Sequence, residues 1–120
     1  MEGLKKLKEL EYINLAVNNI KKIEGISFCE SLAKLDLTLN FVDVEDFEES
    51  VENMAEVQSL NELYLTGNPC TNWPGYKEYI YAKVPNLRRL DGEDITKSMK
   101  IIALQKLPEL TAELRALAAQ

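Results

Sequence analysis

Leu32-Ala33-Lys34-Leu35-Asp36-Leu37-Thr38-Leu39-Asn40-Phe41-Val42 sets leucines at its first, fourth and sixth positions, an asparagine at its ninth and an apolar residue at its last. The same template stands upstream as Leu10-x-x-Ile13-x-Leu15-x-x-Asn18-x-Ile20. It returns downstream as Leu60-x-x-Leu63-x-Leu65-x-x-Asn68-x-Cys70. Three apolar anchors, an asparagine at a fixed offset and a further apolar residue make a demanding pattern. Three matches in so short a chain are an internal repeat.

Within each copy, residues such as Ile13 and Leu15 alternate with Tyr12, Asn14 and Ala16, the period of a short strand with one buried face. Strands of this kind stack as a parallel sheet, each repeat burying its apolar face against its neighbours. The asparagine follows the strand, where the chain turns inward. Its amide donates and accepts, so it satisfies backbone groups that the turn would bury unpaired. The fold class is therefore α/β: a leucine-rich-repeat solenoid, a curved parallel β-sheet with a helical C-terminal cap. Three segments follow from this reading: repeats over 1–67, the cap over 68–95 and a helical extension over 96–120.

Copies are spaced 22 residues apart from Leu10 to Leu32 and 28 apart from Leu32 to Leu60. The six extra residues fall in 43–57, where Val44, Phe47, Val51 and Met54 recur at steps of three and four, the stripe of an amphipathic helix. Seven acidic residues and no basic one lie between Asp43 and Glu56. They form either a solvated helix face, the simpler reading, or an acidic docking face. After the third repeat, Tyr76, Tyr79, Ile80 and Val84 mark a helix over 76–84, stopped by Pro85. Leu87–Gly92 supplies a short fourth strand; Trp73 and Tyr76 read as cap core. Thr96 is placed to cap a helix carrying Ile101, Ile102 and Leu104. Pro108 suits the first turn of a further helix over 109–119, striped by Leu107, Leu110, Leu114 and Leu117. That stripe packs back onto the cap or continues towards a partner. At the other end, Leu4 and Leu7 suggest the tail of another repeat unit. Met1 is then a fragment boundary, or the N-terminal edge pairs with another chain in self-association.

A net charge of -6 argues against nucleic acid or anionic membrane as the partner, since both favour a basic surface. No apolar run approaches the length that crosses a bilayer, and the N-terminus lacks a secretory signal. Cys29 and Cys70 sit in apolar repeat contexts and read as reduced core thiols of an intracellular protein. The chain has no histidine, which removes Ser-His and Cys-His nucleophiles and the commonest metal ligand. It has no Gly-rich phosphate loop. Asp91-Gly92-Glu93-Asp94 matches no metal-ligand spacing. The expectation is no enzyme, no cofactor and no metal.

The strand residues between the buried positions point to the concave face. One row is Tyr12, Lys34, Glu62 and Arg89; the next is Asn14, Asp36, Tyr64 and Asp91; Ala16, Thr38 and Thr66 follow. Exposed aromatics are enriched at interface hot spots, so Tyr12 and Tyr64 are the expected anchors of a protein partner. Asp36 and Asp91 are expected to select a basic group on it.

Particular stretches carry a family likeness. They are Leu10-Glu11-Tyr12-Ile13-Asn14-Leu15-Ala16-Val17-Asn18-Asn19-Ile20, the run from Leu32 to Val42, Glu62-Leu63-Tyr64-Leu65-Thr66-Gly67-Asn68-Pro69-Cys70 and Leu90-Asp91-Gly92-Glu93-Asp94-Ile95. Together, from Leu4 to Gln105, they resemble the leucine-rich-repeat dynein axonemal assembly factors of the tilB or Seahorse type. The resemblance implies a scaffold in the cytoplasmic preassembly of axonemal dynein for cilia or flagella, with dynein chains or assembly chaperones as partners. The resemblance does not extend to the earlier repeats, the CS-like domain and the charged linker of that family, so the expectation is either a fragment or a shortened relative. The cap also resembles that of the leucine-rich-repeat subunit of a spliceosomal small nuclear ribonucleoprotein, which implies an adaptor of a nuclear ribonucleoprotein instead. A generic oligomeric repeat scaffold is the third alternative.

Overall fold

A computed structural model describes residues 8–27 and 29–120. The expectation that Leu4 and Leu7 belong to a further repeat unit lies outside the described residues. Three strands, β1 (Tyr12–Asn14), β2 (Lys34–Asp36) and β3 (Glu62–Tyr64), pair in parallel, and β4 (Arg89–Leu90) joins them in the same sense. A fifth strand, β5 (Glu93–Asp94), closes the sheet antiparallel to β4, a hairpin the repeat pattern did not announce. Its tight turn is made by Asp91 and Gly92, both with positive φ.

Register follows the template: Ile13, Leu35, Leu63 and Leu90 lie side by side and point inward. Leu35, Leu63 and Leu90 are fully buried, whereas Leu10 and Leu15 of the first copy remain more than a third exposed. Each later copy is covered on both flanks by its neighbours.

The asparagines stitch the stack. The Asn40 side-chain amide donates to Leu37 O within its own repeat and to Leu15 O in the one before, at 2.9 Å each. Its carbonyl oxygen accepts from Ile20 N at 3.1 Å. Asn68 repeats the arrangement one copy on, with Leu65 O, Leu37 O and Val42 N. Among the described residues, Asn18 bonds only Leu15 O and Ala16 O, both local and exposed. The residue before each asparagine turns left-handed: Val17 at φ 57°, Leu39 at φ 58° and Gly67 at φ 82°.

On the convex side, α1 (Val44–Ala55) starts where the Asp43 carboxylate accepts from Val44 N, and it buries Phe47, Val51 and Met54. Ser50 Oγ accepts from Ile23 N–H at 3.0 Å and Asn53 donates to Ile23 O at 2.8 Å, so the helix also satisfies the preceding loop. A 3₁₀ turn, Pro69–Asn72, leads into α2 (Tyr76–Lys83). Gly75 at its start lies so close to Leu110 and Trp73 that a Cβ would sit within 2.7 Å of Leu110 Cδ2.

The expected pair of C-terminal helices is one continuous helix, α3 (Lys97–Ala118), with Pro108 inside it. Thr96 caps its start as expected, accepting from Met99 N. Proline removes one helical hydrogen bond and crowds the preceding turn. Burial on both sides of it, by Ala103 before and Leu110 and Leu114 after, holds the two halves in line against α2 and α1. Glu113 accepts from Trp73 Nε1 at 2.6 Å and Glu48 accepts a two-point contact from Arg115, at 3.0 and 2.8 Å. The leucine stripe therefore packs back onto the cap, and the boundary at 95/96 marks no break in the core. Phe47, Trp73, Tyr76 and Tyr79 stack edgewise or tilted where α1, the 3₁₀ turn and α2 meet. Trp73 and Tyr76 are cap core, and Cys29 and Cys70 are buried free thiols.

Candidate protein-binding face

Strand pairing sets Tyr12 beside Lys34, Lys34 beside Glu62 and Glu62 beside Arg89. Asn14, Asp36 and Tyr64 form the next row, because residues two apart along a strand share a face. Each side chain is held by a local cause. Lys34 Nζ lies 5.0 Å from the Tyr12 ring centroid and 5.3 Å from that of Tyr64, and reaches Glu62 Oε2 at 3.8 Å. An ammonium over two ring faces is drawn to the negative face of each π system. The Tyr64 hydroxyl donates to the Glu62 carboxylate, and that bond holds the phenol above its ordinary range. Arg89 turns from Glu62 to the hairpin, where its Nε meets Asp94 Oδ1 at 3.1 Å.

The acidic positions differ in what they have left to offer. Both oxygens of Asp91 are engaged: one accepts from Leu65 N at 2.7 Å, the other from the Tyr76 hydroxyl. Asp91 thus ties the cap to the third repeat. In Asp36 one oxygen accepts from Thr38 N and Thr38 Oγ1, at 3.0 and 2.7 Å, and the other faces outward without a partner among the described residues. Asn14 makes the equivalent turn bond to Ala16 N at 3.0 Å. Thr66 is exposed beyond β3.

The sequence rows were legible as positions, but the cation between two rings was not. Lys34 reads in sequence as one rung of a charge ladder with Glu62 and Arg89. Only the register that puts Tyr12 and Tyr64 one strand away on either side reveals its second role. The result is a continuous strip of ring, ammonium and ring, with the Asp36 carboxylate beside it. Tyr12 keeps 47% of its surface exposed, enough for a partner to cover.

No protein-family model matches the chain. Individual relatives do. Dynein axonemal assembly factor 11 of Trypanosoma brucei brucei is 48% identical over 112 residues, which is 92% of this chain and 28% of that protein. The chain is a homologue of the tilB-type leucine-rich-repeat dynein axonemal assembly factors. Dynein axonemal assembly factor 11 of Mus musculus is 42% identical over 96% of the chain, and Protein tilB of Drosophila melanogaster is 48% identical over 89%. The chain spans about a quarter of the length of these tilB-type relatives, with 24% of the mouse protein and 26% of the fly protein covered. Among solved structures, one from the Drosophila melanogaster SNF/U2A′ complex superposes with a TM-score of 0.71 at 20% identity, over 90% of this chain and 77% of that one. That likeness concerns the fold alone. The Mex67 leucine-rich-repeat domain of Chaetomium thermophilum gives a TM-score of 0.65 at 28% identity, over 82% of this chain and 67% of that one. The chain is thus a leucine-rich-repeat solenoid by structure as well as by sequence.

Proposed function

We propose that this chain is a non-catalytic protein-binding module acting in the assembly of axonemal dynein, in the cytoplasm of cells that build cilia or flagella. The observation that carries the reading is identity of 48% across nearly the whole module to a protein named for that process. The module acts as a scaffold: its concave face holds a dynein chain or an assembly chaperone through Tyr12, Lys34, Tyr64 and the outward oxygen of Asp36. Rings ordered by a cation between them lose little freedom when a partner covers them, which favours their use as anchors. Asn14, Thr38, Glu62, Thr66 and Arg89 form the polar surround, and Asp91 keeps the cap in place beneath it.

Affinity capture from a flagellated host tests the proposal, comparing wild type with the Tyr12→Ala/Tyr64→Ala double variant. Dynein subunits or their chaperones are expected with wild type and depleted at least about tenfold with the variant, the loss that removal of two hot-spot side chains brings. Enrichment of spliceosomal proteins in their place would overturn the dynein reading. Equal recovery of dynein subunits by both proteins would remove the concave face from it. Light scattering on dilute protein separates this scaffold from a homo-oligomer joined through its N-terminal edge.

A further inference from the structure

The first half of α3 presents a face that the core does not use. Ala103, Leu110 and Leu114 point inward, with Leu107 packed beside them. One hundred degrees per residue puts Ile101 and Pro108 on the opposite side, with Leu104 on one flank of it and Ile102 on the other. Ile101 is 51% exposed and Leu104 55%. Ile102, on the flank, is 48% exposed. Single exposed apolar residues are ordinary on any surface, but three within four positions of one helix form a patch.

The charges around the patch are opposite to those of the chain as a whole. The protein carries a net -6, yet residues 97–106 contain Lys97, Lys100 and Lys106 and no carboxylate. Lys97 precedes Ile101 by four positions and Lys100 precedes Leu104 by four, so both ammonium groups border the apolar stripe. Lys100 Nζ donates to Pro85 O at 2.7 Å and so overhangs a polar groove of about 600 Å³, lined in part by Ser59, Asn61, Asn86 and Arg88. Glu93 pairs with Lys77, Asp94 with Arg89 and Glu78 with Lys106, while Glu109, beyond Pro108, has no ion-pair partner among the described residues. Arg88, Lys97 and Lys100 have no carboxylate partner among the described residues. An acidic protein thus keeps a corner where uncommitted cations frame an apolar stripe.

We infer that this face of α3 docks an acidic amphipathic helix of a partner protein. The partner's apolar ridge would lie along Ile101 and Leu104, and its flanking carboxylates would meet Lys97 and Lys100. A carboxylate at the end of that helix, or its terminal backbone groups, would enter the groove at Arg88 and Asn61. The face is separate from the concave strip, so the module can hold two proteins at once. The inference does not depend on the identity of the concave-face partner.

A synthetic amphipathic peptide tests this, with leucines along one face and glutamates flanking them, against a twin with lysine for every glutamate. Binding to the full chain is read by fluorescence anisotropy at low and moderate salt. The glutamate peptide is expected to bind at least about tenfold tighter than its twin, by the charge complementarity of the rim. Ile101→Ser with Leu104→Ser should weaken it about tenfold, through loss of two buried aliphatic contacts. Lys97→Glu with Lys100→Glu should reverse the preference between the twins. Ile101, Leu104 and Lys97 are exposed and Lys100 is half-buried with one hydrogen bond to Pro85 O, so thermal melts check that the variants fold. Equal binding of the twins, no binding of either, or affinity that falls with Tyr12→Ala rather than with the α3 variants would overturn the inference. Phosphatidylserine vesicles serve as the competing surface. If they bind the chain and lose it with the same α3 variants while the glutamate peptide does not bind, the face serves a membrane and the inference fails.

Discussion

The ammonium of Lys34 lies 5.0 Å above the ring of Tyr12, on the neighbouring strand of the parallel sheet. The side chain is 40% exposed, so the contact works in a partly wet setting, where such pairs contribute about 0.5–1 kcal/mol. A double-mutant cycle with Lys34→Met and Tyr12→Leu, read by urea unfolding, is expected to return a coupling energy of about 0.5–1 kcal/mol. A coupling of zero would mean that the ammonium is held by Glu62 and the Tyr64 ring without help from Tyr12.

The asparagine at the end of each strand separates a stitched repeat from an open one. Replacing Asn40 by Leu leaves Ile20 N without its acceptor and takes one of two side-chain donors from Leu37 O and Leu15 O, which keep Asn68 and Asn18, at a residue only 3% exposed. The expected loss is about 1–3 kcal/mol, the cost of one buried group left unsatisfied. Asn18→Leu releases only exposed carbonyls and should cost less than about 1 kcal/mol. Chemical denaturation of the two variants side by side decides this, and equal losses would contradict the ladder.

Those same asparagines show how far the sequence could be read. Their offset from three apolar anchors announced the parallel sheet, its register and the outward rows, because a period-two strand with a fixed turn leaves few other arrangements. The helix over 43–57 was legible from Phe47, Val51 and Met54 for the same reason. Pro108 misled, since local rules count its missing hydrogen bond but not the burial of Ala103 and Leu114 on either side. The β5 hairpin was hidden because two-residue strands carry no periodicity. Lys34 between two rings was hidden because Tyr12 and Tyr64 lie 22 and 30 residues from it in sequence and meet it only through register. Asp91 looked like a surface acid, and only the fold turns its second oxygen towards Tyr76.

The left-handed position before each asparagine suits valine at 17 poorly and glycine at 67 well. Val17 sits at φ 57° with 73% of its surface exposed, a β-branched side chain in the left-handed region with little packing to lose. Val17→Asn is expected to raise stability by about 0.5–1 kcal/mol, because asparagine tolerates that region. Gly67 occupies the same turn position one repeat on from Leu39, where a Cβ would lie 2.5 Å from Leu39 Cδ2. Gly67→Ala should therefore cost about 1–2 kcal/mol. Melting temperatures that move in opposite directions for the two variants bear this out.

Acid should loosen the junction of α1 and α3. The two-point contact from Arg115 holds the Glu48 carboxyl below its ordinary value of 4.5. A carboxylate with a depressed folded value contributes stability that is present above the unfolded value and lost as pH falls through the folded one. The contribution is therefore intact at neutral pH and disappears below about pH 4.5. The pair is partly exposed, so its size is at most about 1 kcal/mol. Glu48→Gln should lose that amount at pH 7 and almost nothing at pH 3, and a constant difference across the range would rule the pair out as its source.

Tyr79 is fully buried among Phe47, Trp73 and the helices of the cap, yet its hydroxyl has no hydrogen-bond partner among the described residues. Burial pushes its phenol up to about 12, the direction expected for a group whose charged form has lost its water. A buried donor without a partner costs about 1–3 kcal/mol, while the ring beneath it contributes the packing that joins α1 to the 3₁₀ turn. Tyr79→Phe keeps the ring and removes the cost. It should raise the unfolding free energy by about 1 kcal/mol and leave partner binding at the concave face unchanged. Tyr79→Ala, which empties the centre of the aromatic cluster, should lose about 3–5 kcal/mol. If Tyr79→Phe destabilised the protein instead, the hydroxyl would have to be hydrogen-bonded within the cap.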